Sequence, residues 1–320
     1  MKRLGIVVIL GMGTLFGGAQ AALGDSYSYT SIIDPDATGY TAASGINSSG
    51  EVVGVYENGL NTYGFSESAG VFTTINDTSG PGQTSAYGVN DSGEIVGAYF
   101  DSMSNQDGFT DTGGTLATIV SSGGAFGINN AGQIVGGYSD GDGFLDTGGT
   151  FQTIDFPGAT LTVDEGINNS GEIVGYFVDS EGNTNGFLYN ESTHMFTVID
   201  DPSAAEGTFL YGVNDSGEVV GTYSDSSGTT HSFVYSGGTF TELSDPSGTL
   251  DTVAFGINDS GDVVGLYDFS TPDGGIGTNG FVATPTAASV PEPGTLALLG
   301  IALIGLAALA RRKPASAQRI

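Results

Sequence analysis

The chain has no cysteine and no tryptophan, and between Asp25 and Val290 it has neither lysine nor arginine. Each absence removes a class of explanation. Without cysteine there is no disulfide, no thiolate nucleophile and no cysteine-ligated metal. A chain of this length must then rely on an apolar core. Without Lys or Arg, nucleic acid is excluded as a partner, because phosphate recognition needs cationic side chains. All 36 acidic residues except Glu292 fall in the same stretch. Their carboxylates have no basic side chain to pair with, so they must be solvated, hydrogen-bonded or bound to metal ions. Mutual repulsion keeps such a domain soluble. The only histidines are His194 and His231. They read as surface or strand-end residues, and no Ser/His/Asp set can be assembled around them.

Both ends carry address signals. Met1-Lys2-Arg3, an apolar run and Ala19-Gln20-Ala21 describe a signal peptide over 1–21, cut after Ala21. At the other end stand Val290, Pro291, Glu292 and Pro293, then an uncharged apolar stretch over 295–310, then the membrane stop Arg311-Arg312-Lys313. The stretch reads as a hydrophobic helix, short beside the roughly 20 residues usual for a span. The basic cluster stays cytoplasmic. This tail, 287–320, resembles the PEP-CTERM sorting segment. The resemblance implies a Gram-negative exported protein, transiently anchored and processed at the inner membrane by an exosortase-type enzyme. It also implies a bacterium that makes exopolysaccharide, with the protein destined for the cell surface or the extracellular matrix.

Between the ends, 22–286, the chain repeats. Gly-[Ile/Val]-Asn begins at Gly45, Gly88, Gly127, Gly166, Gly212 and Gly256, at intervals of 39 to 46 residues. This period indicates a propeller, an array or a solenoid. Each unit divides into four short strands. The first ends in the Gly-Ile-Asn word and turns through a loop whose last residue is Gly, as at Gly93. The second, such as Glu94–Tyr99, is apolar on both faces, which requires cover on both sides. Its glycines, Gly97 and its counterparts, would let neighbouring backbones approach closely. The third carries a Phe: Phe65, Phe109, Phe144, Phe187, Phe233 or Phe281. The fourth resembles Phe196-Thr197-Val198-Ile199-Asp200. The sixth unit lacks it, and a spare copy, Tyr29-Thr30-Ser31-Ile32-Ile33-Asp34-Pro35, lies at the N-terminal end. The chain is therefore all-β, a six-bladed β-propeller closed by an N-terminal strand. A β-solenoid is the alternative, disfavoured by the uneven intervals and the hairpins within each unit. Over residues 27–284 the repeated words resemble the HAF-type bacterial extracellular repeat, although the His-Ala-Phe of that class is approached only by His231-Ser232-Phe233. That resemblance implies architecture and export and carries no established activity.

Chemistry is sparse. Asn90-Asp91-Ser92-Gly93 could be a small acidic site, but its six-fold recurrence reads as a hairpin turn. No motif demands a cofactor. Calcium is the ion this oxygen-rich composition would take, with Asp140 and Asp142, and Asp179 and Glu181, as candidate ligands. Divalent cations of this kind could also bridge the domain to an acidic exopolysaccharide. Tyr56, Tyr99, Tyr138, Phe177, Tyr223 and Tyr267 could stack on sugars, yet their fixed place in the second strand argues for core packing. The leading reading is a non-enzymatic structural or binding protein associated with exopolysaccharide. The alternative is a secreted carbohydrate-active enzyme using a pair of carboxylates, with two acids converging in one pocket as its mark.

Overall fold

A computed structural model of the chain describes residues 27–77 and 82–286, within which Tyr27–Pro285 forms one compact unit. The leader with Ala19 and Ala21, and the sorting tail with its motif, apolar stretch and basic stop, lie outside the described residues.

Among the described residues, twenty-four strands form six antiparallel four-stranded sheets. Blade 4 shows the pattern: Leu161–Ile167, Glu172–Val178, Thr184–Asn190 and Met195–Val198 pair in chain order. The first strand of each blade is the innermost. These are Thr41–Ile46, Thr84–Val89, Gly123–Ile128, Leu161–Ile167, Gly207–Val213 and Thr252–Ile257, and each touches the next in a closed cycle. Blade 6 takes its outer strand from the start of the domain. Tyr27–Ile32 pairs with Ile276–Pro285, from Tyr27 opposite Pro285 to Ile32 opposite Gly280. The fold is thus a six-bladed β-propeller. A solenoid would leave the first and last units apart, whereas Asn258 Nδ2 here donates to the Asn47 carbonyl at 3.1 Å.

Apolar packing sits between the blades. The six third-strand phenylalanines are fully buried, and each lies opposite the second-strand glycine, as Phe109 does opposite Gly97. Burying one such ring contributes roughly 1.5–3 kcal/mol. A side chain on Gly97 would strike the Phe109 ring and the Ser85 carbonyl of the same blade. The inter-blade approach expected at this glycine occurs instead at the glycine of Gly-Ile-Asn, where a Cβ on Gly45 would meet the backbone of Tyr87 and Gly88 in the next blade. Four of the six second-strand aromatics pack as expected: Tyr56, Tyr99, Phe177 and Tyr267 are buried, and Tyr99 Oη lies 2.6 Å from Thr118 Oγ1, whereas Tyr138 and Tyr223 are half-buried.

The turn after each inner strand is a hairpin with an added task. Gly93 has φ 77°, the left-handed conformation this loop needs. The Asn90 Oδ1 accepts from the backbone N–H groups of Ser92 and Glu94, both at 3.0 Å. Its Nδ2 reaches forward to the Asn129 carbonyl of the next blade at 3.3 Å. Asn47, Asn129, Asn168, Asn214 and Asn258 donate likewise to the following blade at 3.0–3.2 Å. Six buried side chains therefore close a girdle around the axis. A hydroxyl side chain could brace the turn but could not span to the neighbour, which accounts for the fixed Asn.

Candidate functional site

Every inner strand has a register break at one place: between Ala43 and Gly45, Ala86 and Gly88, Ala125 and Gly127, Asp164 and Gly166, Leu210 and Gly212, Ala254 and Gly256. A bulge inserts one unpaired residue and re-aims its side chain. Here the inserted residues are Ser44, Tyr87, Phe126, Glu165, Tyr211 and Phe255. All six are half-buried, and together they line the axial cavity. Tyr40, Ala42, Val55 and Leu266 complete its wall. The space measures about 420 Å³, within the range of small-molecule sites. Beyond the bulge residues the channel narrows to about 80 Å³ at the Gly and Ile/Val rings, then to about 60 Å³ at the Asn girdle. The result is a funnel, open at the starts of the inner strands.

The ring of bulged residues is aromatic except in two blades. Tyr87 meets Phe126 edge to face at 5.5 Å, and Tyr211 meets Phe255 likewise at 5.3 Å. Ser44 and Glu165 stand three blades apart, so a small residue faces the carboxyl across the axis. Glu165 has no hydrogen-bond or ion-pair partner among the described residues. Desolvation pushes its carboxyl up to about 7. Burial also raises the Tyr211 hydroxyl to about 12, with Glu165 adding to the effect. Asp164 points the other way. It is fully buried in the position that Ala occupies in four other blades, and neither carboxyl oxygen has a hydrogen-bond partner. Burial, with Glu165 and Asp155 nearby, holds it well above the usual carboxylate range.

The opposite mouth is polar. Ser48, Asp91, Asn130, Asn169, Asp215 and Asp259 form a second, exposed ring, linked by bonds such as Asp91 N to Asn130 Oδ1 at 2.9 Å and Asp215 N to Asp259 Oδ1 at 2.9 Å. Asp91 is the acid of the hairpin word. Partial burial raises it, but bonds from Ser48 and Asn130 leave it below its ordinary value.

The calcium candidates stand in two different loops. Asp140 and Asp142 lie between the second and third strands of blade 3, and Asp179 and Glu181 in the corresponding loop of blade 4. Asp179 is engaged by its own turn: Oδ1 accepts from Glu181 and Asn183 N–H at 2.8 and 2.9 Å, and Oδ2 from Asn183 Nδ2 at 2.9 Å. Those bonds, the Asn183 side chain foremost, hold its carboxyl below the usual range. Among the described residues no group of three or more acids or histidines is placed to hold one metal ion. His194 bonds the Tyr189 hydroxyl at 2.8 Å. His231 lies 3.1 Å from both Asp225 Oδ2 and Glu242 Oε1 and stacks on Tyr223. These two bonds, Asp225 first, raise its pKa.

Periodicity alone could not reveal the funnel, since an inner strand read as regular alternation gives no reason to single out residue 165. The available signal was the column just before each Gly-[Ile/Val]-Asn. It reads Ser, Tyr, Phe, Glu, Tyr, Phe, varied in size and charge where the column after it is Gly in all six repeats.

Residues 289–313 match the PEP-CTERM protein-sorting motif, which contains Val290, Pro291, Glu292, Pro293 and the Arg311-Arg312-Lys313 cluster. The motif implies an exported protein processed by an exosortase-type enzyme. No curated protein matches the chain. Among solved structures, TolB from Acinetobacter baumannii is similar with a TM-score of 0.50 and 11% identity, over 80% of this chain and 66% of that one. A mutant of Aleuria aurantia lectin in complex with alpha-methyl-L-fucoside gives 0.48 and 11%, over 83% and 97%. AofleA from Arthrobotrys oligospora gives 0.49 and 11%, over 84% and 92%. At such identities the likeness to TolB is one of fold.

Proposed function

We propose that this chain is an exported, non-enzymatic propeller that binds saccharide of the extracellular matrix in its axial funnel. The observation that carries the reading is the ring of six bulged residues, four of them aromatic, around a cavity of about 420 Å³. Aromatic rings offer flat apolar faces to sugar C–H groups, while Tyr hydroxyls and Ser44 supply polar contacts at the edges. The sorting motif supports a working place at the cell surface. The exopolysaccharide habit that the tail implies supports the polymer as ligand. That Glu165 is the single carboxylate among the described lining residues supports binding over hydrolysis. A glycosidase needs two carboxyls roughly 5–9.5 Å apart across the sugar bond, and Asp164 is turned out of the cavity.

The test is co-sedimentation of residues 22–290 with the producing cells' exopolysaccharide, in calcium and in chelator, beside the variant Tyr211→Ala. Binding in both buffers that falls at least about tenfold in the variant is expected for a funnel site. Binding lost in chelator but untouched by Tyr211→Ala would replace the funnel with calcium bridging through surface acids such as Asp140, Asp142, Asp179 and Glu181. No sedimentation in either buffer would remove the polysaccharide as ligand.

A further inference from the structure

The carboxyl in the funnel faces no cationic side chain among the described residues. Glu165 stands half-buried among aromatic rings with no hydrogen-bond or ion-pair partner among the described residues. No Lys or Arg exists between residues 25 and 290 to supply one. A neutral sugar seated against it would strip water from the carboxylate and return no charge, and an acidic sugar would be repelled. An ammonium group meets both halves of the wall. It pairs with the carboxylate, and aromatic rings attract cations through their quadrupole, more strongly where water is excluded. Ser44, across the axis from Glu165, leaves room for the body of such a ligand. The five other blades put Ser, Tyr or Phe at this bulge, so the fold itself does not require Glu there.

We propose that the funnel recognises an amine: its ligand is a saccharide with a free, unacetylated amino group, whose ammonium is held by Glu165 within the ring of Tyr87, Phe126, Tyr211 and Phe255. This rests on the funnel being the saccharide site and names the class of sugar it takes. An ammonium needs the ionised carboxylate, so its binding weakens in acid. The titratable groups facing Glu165 are Tyr87, Tyr176 and Tyr211, with Asp164 beside it in the chain. Burial raises all three tyrosines and keeps them neutral, and it raises Asp164 well above the usual carboxylate range. Glu165 is therefore the group that changes charge near neutrality.

The experiment is calorimetric titration of residues 22–290 with tetraglucosamine, with its fully N-acetylated form and with tetramethylammonium, at about pH 7.5 and about pH 5.5, on the native sequence and on Glu165→Gln. Tetramethylammonium cannot lose a proton, so its pH dependence reports the protein. The amine tetramer is expected to bind at least about tenfold more tightly than the acetylated one at the higher pH. That preference should vanish in Glu165→Gln, and tetramethylammonium should weaken at least about fivefold in acid. Equal affinity for the two tetramers, a preference that survives Glu165→Gln, or no binding of the amine tetramer overturns the inference. The saccharide reading has a separate readout: if the native polymer still sediments and Tyr211→Ala still abolishes it, the funnel binds sugar by other chemistry.

Discussion

Asp164 and Glu165 are neighbours in the chain with opposite surroundings. One is sealed between blades 3 and 4, packed against Gly143; the other stands in the funnel. A buried carboxyl whose oxygens have no partner is a liability of roughly 1–3 kcal/mol. Asp164→Ala, which restores the residue found in blades 1, 2, 3 and 6, is therefore expected to raise the unfolding free energy at neutral pH by about 1–2 kcal/mol. Chemical denaturation measures this, and a loss of stability would mean that Asp164 has a bonding role. The girdle predicts the reverse. Asn129→Ala deletes the 3.2 Å bond to the Asn168 carbonyl and the turn bonds to Ala131 and Gln133. A loss of about 1–3 kcal/mol is expected, and an unchanged denaturation midpoint would deny the girdle a structural role. At this scale the sequence was legible wherever a residue repeated. The six phenylalanines and the turn glycines declared their places by recurrence. The forward reach of the Asn amide did not, because a turn explains the same residue equally well.

At the scale of the element, closure depends on one strand drawn from the other end of the domain. The spare Phe-Thr-x-Ile-Asp-like segment made that closure legible, because the sixth repeat was visibly one strand short. Deleting Tyr27–Ile32 exposes the edge of Ile276–Pro285 and uncovers Phe281, on which the Tyr29 ring rests at 5.6 Å. A loss of more than about 3 kcal/mol is expected, together with self-association through the open edge. Light scattering and thermal unfolding would show both; an unaltered monomer with an unaltered midpoint would mean that five complete blades and a three-stranded sixth suffice. The bulges were not legible. They are an irregularity of register that the repeated words carry without displaying, since Gly after the bulged residue serves close inter-blade approach as well.

For the whole molecule, charge and burial set the pH response. Glu165, raised to about 7, and the buried Asp164 hold their protons in the folded state at pH values where the unfolded chain has released them. Folding stability therefore declines as pH rises from about 4.5 towards 7, with Glu165 accounting for on the order of 1–3 kcal/mol after screening by solvent at the funnel mouth. His231 acts with the same sign. Its raised pKa adds stability that is fully present below its unfolded value and is lost as pH rises through the folded one. Carboxylates held low by turn bonds, such as Asp101 and Asp179, lose their contribution only in stronger acid. Thermal unfolding should thus peak near about pH 4–5 and decline towards pH 8, and Glu165→Gln should flatten that decline; a midpoint that rises steadily from pH 5 to 8 would contradict these assignments. Composition foretold a domain without basic partners, but not that one acid would be aimed down the axis. The most direct measurement is hydroxyl-radical footprinting of the propeller with and without exopolysaccharide fragments. Protection of Tyr40, Tyr87 and Tyr211, with the exposed Phe100 and Met103 unchanged, is the result expected of a funnel that binds sugar. Protection confined to the outer loops, with the funnel tyrosines as reactive as before, would contradict it.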